Sequence, residues 1–353
     1  MMSEKLRRCP KCGLALDIDD ESLHAYECRD NEDLKSSCLS ITEAIGNTPA
    51  LRLDRLVRHF GFKGIIILKL EYLNPGFSKK DRVALEIVRE SIADGSLLPG
   101  QTVVELTSGN TGTGLAMVCG ALGHPFVAVM SRGNSKERVR MIRALGGSVE
   151  LVDQNSDGVP GRVSGADLEL VEIRTQELVR ELGAFRADQF SHAGNTLAHE
   201  RHTAPELWRQ CCGRIDAFVD FIGTSGSFIG IMRGLRKRDS RILGYVVEPE
   251  GAAVLSGSAV QNSSHRIQGG GYSMKEPPLF DSSLVDGYLA VDDERAISTA
   301  RLLARFEGVF AGFSTGANVA GALQLLERSD KLLSVAVLAC DSGLKYLSTD
   351  LYE

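Results

Sequence analysis

The chain has 353 residues, 43% of them hydrophobic and 24% charged, enough apolar material for a large core in two domains plus an appendage. A formal net charge of −6 gives no electrostatic reason to expect nucleic acid as a partner. No apolar run approaches the length of a membrane span and the start, Met1-Met-Ser-Glu-Lys-Leu-Arg-Arg8, is not a signal peptide, so a cytoplasmic, reduced protein without membrane contact is expected.

Residues 1–40 carry four thiols, Cys9, Cys12, Cys28 and Cys38. The run Cys9-Pro-Lys-Cys12-Gly reads as a zinc knuckle, because its turn aims two sulfurs at one ion and the glycine permits the bend. Cys28 and Cys38 are more widely spaced than a second knuckle, with His24 a substitute for either, and a metal-free tail is the alternative. Of the other cysteines, Cys119 and Cys340 sit in apolar runs as small buried thiols, and Cys211-Cys212 show no ligand spacing.

Asn74-Pro-Gly-Phe-Ser-Lys-Lys-Asp-Arg82 forms a loop running into a helix, whose apolar positions Val83, Ala84, Ile87 and Val88 follow at helical spacing. A lysine in the first turn of a helix meets the positive end of the peptide dipole, which disfavours its ammonium form. Poised near neutrality, such a lysine can condense with an aldehyde. On its own a Lys-Lys pair at a helix start is usually just a solvated face.

Val103 to Leu106 read as a short buried strand that turns, through Thr107-Ser-Gly-Asn-Thr-Gly112, into a helix at Leu115 to Leu122. Glycines at 109, 112 and 114 let backbone N–H groups approach a ligand, and the helix start adds partial positive charge, which together suit a carboxylate. Asp153 to Ala166 is polar and rich in Gly and Ser, a loop before a helix at Leu168 to Leu182. A second strand-turn-helix follows, with a strand at Ala217 to Ile222, the turn Gly223-Thr-Ser-Gly-Ser227 and a helix at Phe228 to Arg236. Small hydroxyl residues at a helix start suit a phosphate dianion. The turn matches neither the P-loop nor the dinucleotide fingerprint. Further strands are expected at Ile65 to Leu68, Phe126 to Val129, Val149 to Val152, Ile242 to Val247 and Val335 to Leu338, with helical patterns between most of them. That alternation predicts an α/β fold with parallel sheets covered by helices.

A reactive lysine, a carboxylate turn and a phosphate turn are the parts needed to hold pyridoxal phosphate and an amino acid. With them, from Ile41 onward, run Ile45-Gly-Asn-Thr-Pro49, Lys80-Asp-Arg82, Ser135-Lys-Glu-Arg138, Gln189-Phe190, Thr203 with Pro205-Glu-Leu-Trp208, His265-Arg-Ile-Gln-Gly269, Gly312-Phe-Ser-Thr-Gly-Ala317, and Asp341-Ser-Gly343 with Tyr346-Leu-Ser-Thr-Asp350. On these residues the chain resembles the cysteine synthase (O-acetylserine sulfhydrylase)/cystathionine β-synthase family, fold-type II pyridoxal-phosphate enzymes of the tryptophan synthase β-like fold. The resemblance implies two α/β domains, taken here as 41–188 and 189–353, with the cofactor between them and early strands near residues 41 to 75 packing with the C-terminal half. It also implies a homodimer. Residues 1–40 lie outside the common core, although threonine synthases and their relatives can carry a similar cysteine module.

The resemblance further implies roles. Lys80, selected over Lys79 by the spacing N-P-G-x-S-x-K-D-R, would carry the cofactor and move the α-proton, and Asn110 would contact the cofactor's phenolic oxygen. Thr107, Ser108, Gly109, Thr111 and Gln189 would bind the substrate carboxylate. Gly223, Thr224, Ser225, Gly226 and Ser227 would form the phosphate cup, where the usual pattern is G-T-G-G-T. Ser314 would meet the pyridine nitrogen; a neutral hydroxyl there makes a weaker electron sink than a carboxylate would, which suits loss of a β-substituent. The implied reaction is β-replacement on an activated L-serine (O-acetylserine or O-phosphoserine) through an aminoacrylate, with sulfide or another small nucleophile. A threonine synthase-like or dehydratase activity on O-phosphohomoserine or a hydroxy amino acid is the alternative within enzymes, and a non-catalytic binding protein the alternative outside them. Phe77, Ser191-His-Ala-Gly-Asn195 and Gly269-Gly-Gly-Tyr272 depart from the family's usual residues near the substrate, and they put sulfide in question as the second substrate. His192 is a candidate contact there, against its reading as an ordinary loop histidine.

Overall fold

The computed structural model describes residues 38–107, 109–134, 136–155, 165–262 and 265–353, together with a short strand pair near the N-terminus. That pair, β1 (Arg7–Arg8) and β2 (Ala15–Leu16), is antiparallel, with Arg7 opposite Leu16. Cys9, Cys12, Cys28, His24 and Ser108 lie outside the described residues, and Cys38 is exposed and free. Among the described residues no cluster of His, Cys, Asp and Glu could hold a metal, and no helix is long and apolar enough to cross a membrane.

Two further sheets carry the molecule. The larger has the order β11-β10-β9-β12-β4-β3, built from β3 (Ala50–Arg52), β4 (Ile65–Lys69), β9 (Ala217–Phe221), β10 (Leu243–Pro249), β11 (Gly287–Val291) and β12 (Ser334–Leu338). The smaller has the order β7-β6-β5-β8, from β5 (Val103–Leu106), β6 (Phe126–Ser131), β7 (Ser148–Val152) and β8 (Phe185–Arg186). Pairing is parallel in both, except that β3 runs antiparallel to β4 with Ala50 opposite Lys69. The α/β class expected from the sequence is the one found. Apolar runs such as Ile66-Ile-Leu68 and Val335-Ala-Val-Leu338 are buried because helices cover both faces of a parallel sheet.

The strands read from the sequence are present, most of them a residue or two longer than read. The sequence reading missed β3, β8 and β11. The first two are only three and two residues long, and β11 lies at the sheet edge with its outward residues exposed, so none shows a long apolar run. The helix read at Leu115 begins earlier, as α3 (Asn110–Leu122), and the one read at Phe228 as α8 (Gly226–Arg236), so Asn110, Thr111, Gly226 and Ser227 sit in first helical turns while Thr107, Gly109 and Gly223 to Ser225 precede them. One further helix, α10 (Phe313–Glu327), is buried along nearly its whole length. Its small residues Gly316, Ala317, Ala320 and Gly321 let it lie close to α9 (Asp293–Glu307) and the large sheet.

A buried charge network fixes where α2 (Lys80–Ala93) starts. The Arg82 guanidinium donates to Glu71 Oε2 at 2.7 Å and Oε1 at 2.9 Å, and to Glu206 Oε1 at 2.8 Å and Oε2 at 2.7 Å. Lys69 Nζ adds a contact of 2.6 Å to Glu206 Oε2, and Thr48 Oγ1 one of 2.7 Å to Glu71 Oε1. Asn74 Nδ2 reaches Glu71 Oε2 at 3.0 Å while its Oδ1 accepts from Gly46 N–H at 2.9 Å. Four of the sequence motifs thus meet on two carboxylates. Burial works to raise the Glu71 carboxyl, but Arg82 beside it prevails and holds it at about 2.

Replacing Arg82 by Leu strands two buried carboxylates, and should cost about 3–5 kcal/mol of folding free energy, read from the urea midpoint. Because the Glu71 value is depressed on folding, its contribution is present above the unfolded carboxyl range near 4.5 and is lost as pH falls toward about 2. Acid unfolding of wild type should therefore steepen in that window, and Glu71→Gln should flatten it.

Candidate active site

The site lies where strands of both sheets end. From β5 the chain turns through Thr107 and Gly109 into α3, from β9 through Gly223 to Ser225 into α8, and from β12 through Cys340 to Ser342. Ligands of parallel sheets collect at these carboxyl ends, where helix N-termini converge. The lysine loop is sewn to the end of β12: Lys79 N–H donates to Cys340 O at 2.9 Å and Ser342 N–H to Phe77 O at 3.1 Å.

Lys79 and Lys80 point to different fates. Lys79 Nζ lies 3.2 Å from both Asp220 carboxylate oxygens and 2.8 Å from Ser227 Oγ. Burial favours the neutral amine, but Asp220 overrides that and keeps Lys79 charged, above the usual lysine range. Lys80 Nζ instead makes a single 3.2 Å contact to Thr224 Oγ1. Burial, and then the neighbouring Lys79 charge, push its ammonium down to about 7. The sequence reading attributed this lowering to the helix dipole; the structure supplies two further causes, burial and a like charge. Neither lysine is a solvated surface group.

From Thr224 a chain of hydrogen bonds runs to the other turn. Thr224 Oγ1 also accepts from Asn195 Nδ2 at 2.8 Å, and the same amide donates to Gln189 O at 2.6 Å. Gln189 Oε1 accepts from Thr111 Oγ1 at 2.5 Å, and its Nε2 donates to Leu106 O at 3.1 Å. Thr107 Oγ1 accepts from the N–H groups of Gly109 at 3.0 Å and Gly112 at 2.9 Å, so its oxygen shapes the turn. Asn110, at the start of α3, donates to Asp341 Oδ2 at 2.7 Å and accepts from Lys345 Nζ at 2.7 Å. Lys345 is buried, which lowers its ammonium to about 8, and Tyr346 OH donates to the same Asp341 oxygen at 2.6 Å. Ser314, in the first turn of α10, is buried with the Cys340 thiol beside it. Asn318 of the same helix donates to Asp220 Oδ1 at 3.1 Å and to Leu338 O at 3.0 Å.

The turn at 223–227 fits a phosphate. Ser225 holds a left-handed backbone (φ 67°), and its hydroxyl is buried without a partner. Thr224 accepts twice, so its own proton remains to be donated. The first N–H groups of α8 have no acceptor within the helix. Gly226 is required by a close approach, since a Cβ there would stand 2.1 Å from Asn195 Oδ1. Buried donors without acceptors, at the positive end of an eleven-residue helix and one hydrogen bond from a lysine of lowered basicity, fit pyridoxal phosphate.

Asn195, Asp220 and Lys345 were missed by the sequence reading. The first was legible as the closing residue of the altered 191–195 segment; the other two stand in runs with no local signal. Of the two readings of His192, its contacts favour the ordinary structural histidine over a substrate contact. Its Nδ1 accepts from Gly194 N–H at 3.0 Å to cap α6 (Ala193–Ala198), and its Nε2 pairs with Ser91 Oγ at 3.1 Å, so both ring nitrogens serve the fold. Phe77 is exposed and holds a left-handed backbone (φ 64°), a conformation that favours glycine; Tyr272 packs edge-on to Phe190 at 5.9 Å.

Residues 41–341 match the family described as pyridoxal-phosphate dependent enzyme. The chain is 38% identical to O-ureido-L-serine synthase of Streptomyces lavendulae over 315 residues, which cover 89% of this chain and 92% of that one. It is 36% identical to cysteine synthase of Staphylococcus aureus, over 89% of this chain and 97% of the other. Among solved structures, that of O-ureido-L-serine synthase superposes with a TM-score of 0.80 at 38% identity, covering 90% of this chain and 95% of that one. O-acetyl serine sulfhydrylase isoform 3 of Entamoeba histolytica gives 0.83 at 32% identity, with 92% and 95% covered.

Since only the neutral amine attacks an aldehyde, covalent capture of pyridoxal phosphate should speed up as pH rises through about 7 and level off above. Stopped-flow absorbance checks the profile, and peptide mapping after borohydride reduction checks the site. The label is expected on Lys80 and absent from Lys80→Ala; label on Lys79 would refute the assignment.

Proposed function

The chain belongs to the pyridoxal-phosphate-dependent enzymes and carries out β-replacement chemistry of the cysteine synthase type; on that premise we propose that it replaces the β-substituent of an activated L-serine, O-acetylserine or O-phosphoserine, with a small nucleophile. Pyridoxal phosphate, when bound, supplies the electron sink that lets a β-substituent leave. The observation that carries the reading is the continuous hydrogen-bonded line from the Thr111–Gln189 pair through Asn195 and Thr224 to Lys80 Nζ. It joins a carboxylate-binding turn, a phosphate cup and an amine lowered to about 7.

In this assignment Thr111, Gln189 and the N–H groups of the turn at 107–112 orient the substrate carboxylate. Lys80 Nζ, near neutrality, takes the proton from the substrate's α-carbon and returns it. With the cofactor bound, Ser314 would offer a neutral hydroxyl to the ring nitrogen, and Asn110, held between Asp341 and Lys345, would contact the phenolic oxygen. Phe77 and Tyr272 present aromatic faces to the incoming group, which favours a nucleophile larger or more polar than sulfide. The relatives named O-ureido-L-serine synthase support that direction, and those named cysteine synthase support sulfide. The two sheets serve as two domains with the site between them, and the assembly is a homodimer, which light scattering would test.

Holoenzyme offered O-acetylserine, O-phosphoserine or O-phosphohomoserine, each with sulfide, thiosulfate, hydroxyurea or a small thiol, should convert one of the serine esters. Product masses should show the nucleophile joined at the β-carbon. Conversion of O-phosphohomoserine alone would overturn the proposal, and sulfide far ahead of every other nucleophile would overturn its preference for a larger group.

We further propose that residues 1–40 bind one zinc through Cys9, Cys12, Cys28 and Cys38. The C-P-K-C-G spacing supports it. Metal analysis of protein purified without chelator should give one zinc per chain, lost in Cys12→Ser with the catalytic core still folded. A metal-free wild type would refute it.

A further inference from the structure

The phosphate cup contains a buried ion pair that its apparent task does not call for. A helix N-terminus with free N–H groups and hydroxyls can hold a phosphate without formal charge, yet here Asp220, fully buried, lies directly against the cup. Its carboxylate accepts from the Ser227 hydroxyl in a very short contact and from Asn318 Nδ2 at 3.1 Å. A carboxylate in that place repels a dianion and also takes up the Ser227 proton. Ser227 therefore has no proton to offer a phosphate, unlike Thr224 and Ser225.

Lys79 repairs both defects. Its ammonium is 2.8 Å from Ser227 Oγ and equidistant, at 3.2 Å, from the two Asp220 oxygens. Equal, long contacts to both oxygens are those of one N–H shared between them. A second N–H goes to Ser227 and the Cys340 thiol stands beside the third, so the ammonium is held by three groups at the edge of the cup. The side chain is 12% exposed, so water screens this charge little.

We propose that Lys79 is a phosphate-binding cation of the cofactor site, with Asp220 as the positioning residue that holds its ammonium at the cup beside Ser227. The inference rests on the assignment of residues 223–227 to the cofactor's phosphate. It gives the two adjacent lysines separate duties: Lys80 for the aldehyde end of the cofactor, Lys79 for the phosphate end. The same charge contributes to the lowered basicity of Lys80.

The test separates a phosphate-binding role from simple neutralisation of Asp220. Full-length wild type, Asp220→Asn and the double variant Lys79→Met/Asp220→Asn are each titrated with pyridoxal phosphate and with pyridoxal, which lacks the phosphate. Circular dichroism and thermal midpoints confirm folding; the double variant leaves no unpaired charge. Asp220→Asn keeps the ammonium but removes the carboxylate that positions it, so it should bind pyridoxal phosphate more weakly than wild type and more tightly than the double variant. The double variant should bind it about tenfold more weakly or worse, the loss expected for one charge-assisted hydrogen bond, with pyridoxal affinity unchanged. A double variant that matches wild type with both ligands would overturn the inference, leaving Lys79 as a counter-ion only. Wild type with no preference for pyridoxal phosphate over pyridoxal would overturn the phosphate-cup assignment itself.

Discussion

The guanidinium of Arg82, closed between Glu71 and Glu206, is the constraint on which the rest of the site depends. Each of these three groups is nearly or fully buried. A buried charge is tolerated only when geometry and partners are close to complete. The network therefore admits few arrangements of the segments that supply it: the turn at 45–49, the end of β4, the loop at 74–76 and the helix holding Glu206. Arg82 sits two residues after Lys80, so fixing one fixes the helical turn that presents the other. Gly76 belongs to the same constraint, since a Cβ there would lie 2.4 Å from Asp81 Oδ1.

Side chains at neighbouring positions of a helix start diverge by about 100° around its axis. That angle sends Lys79 toward β9 and Lys80 toward the turn before α8, and their environments do the rest. Lys79 meets a carboxylate and stays charged; Lys80 meets a hydroxyl, burial and its neighbour's charge, and comes near neutrality. One residue of displacement separates a paired ammonium from an amine near neutrality.

Two non-glycine residues in left-handed backbone, Phe77 and Ser225, border the site. Such conformations cost of order 1–3 kcal/mol and persist where surrounding contacts over-determine them, which is commonest at functional sites. Phe77 is held by its N–H to Asn74 O at 2.8 Å and its carbonyl to Ser342 N–H at 3.1 Å, with the ring left exposed at the edge of the site. Ser225 gains a buried hydroxyl aimed where a family glycine would offer none.

By itself the sequence determined the α/β class, the strand-turn-helix units and the segments rich in glycine and hydroxyls. These depend on local periodicity and turn chemistry, which a few consecutive residues carry. It also singled out Lys80 by motif spacing. What only the tertiary structure decided is the company each side chain keeps. Asp220 reads as one polar residue in an apolar strand, until β9 places it against a lysine 141 positions earlier. Lys345 meets Asn110 across 235 positions. His192 was open between a substrate contact and an ordinary loop histidine until Ser91 and Gly194 took both its nitrogens. The antiparallel β3 is set by its pairing with β4 rather than by its own three residues. Contacts between distant positions leave no periodic trace in a single chain, and they decide whether a buried charge is a pair, a base or a binding group.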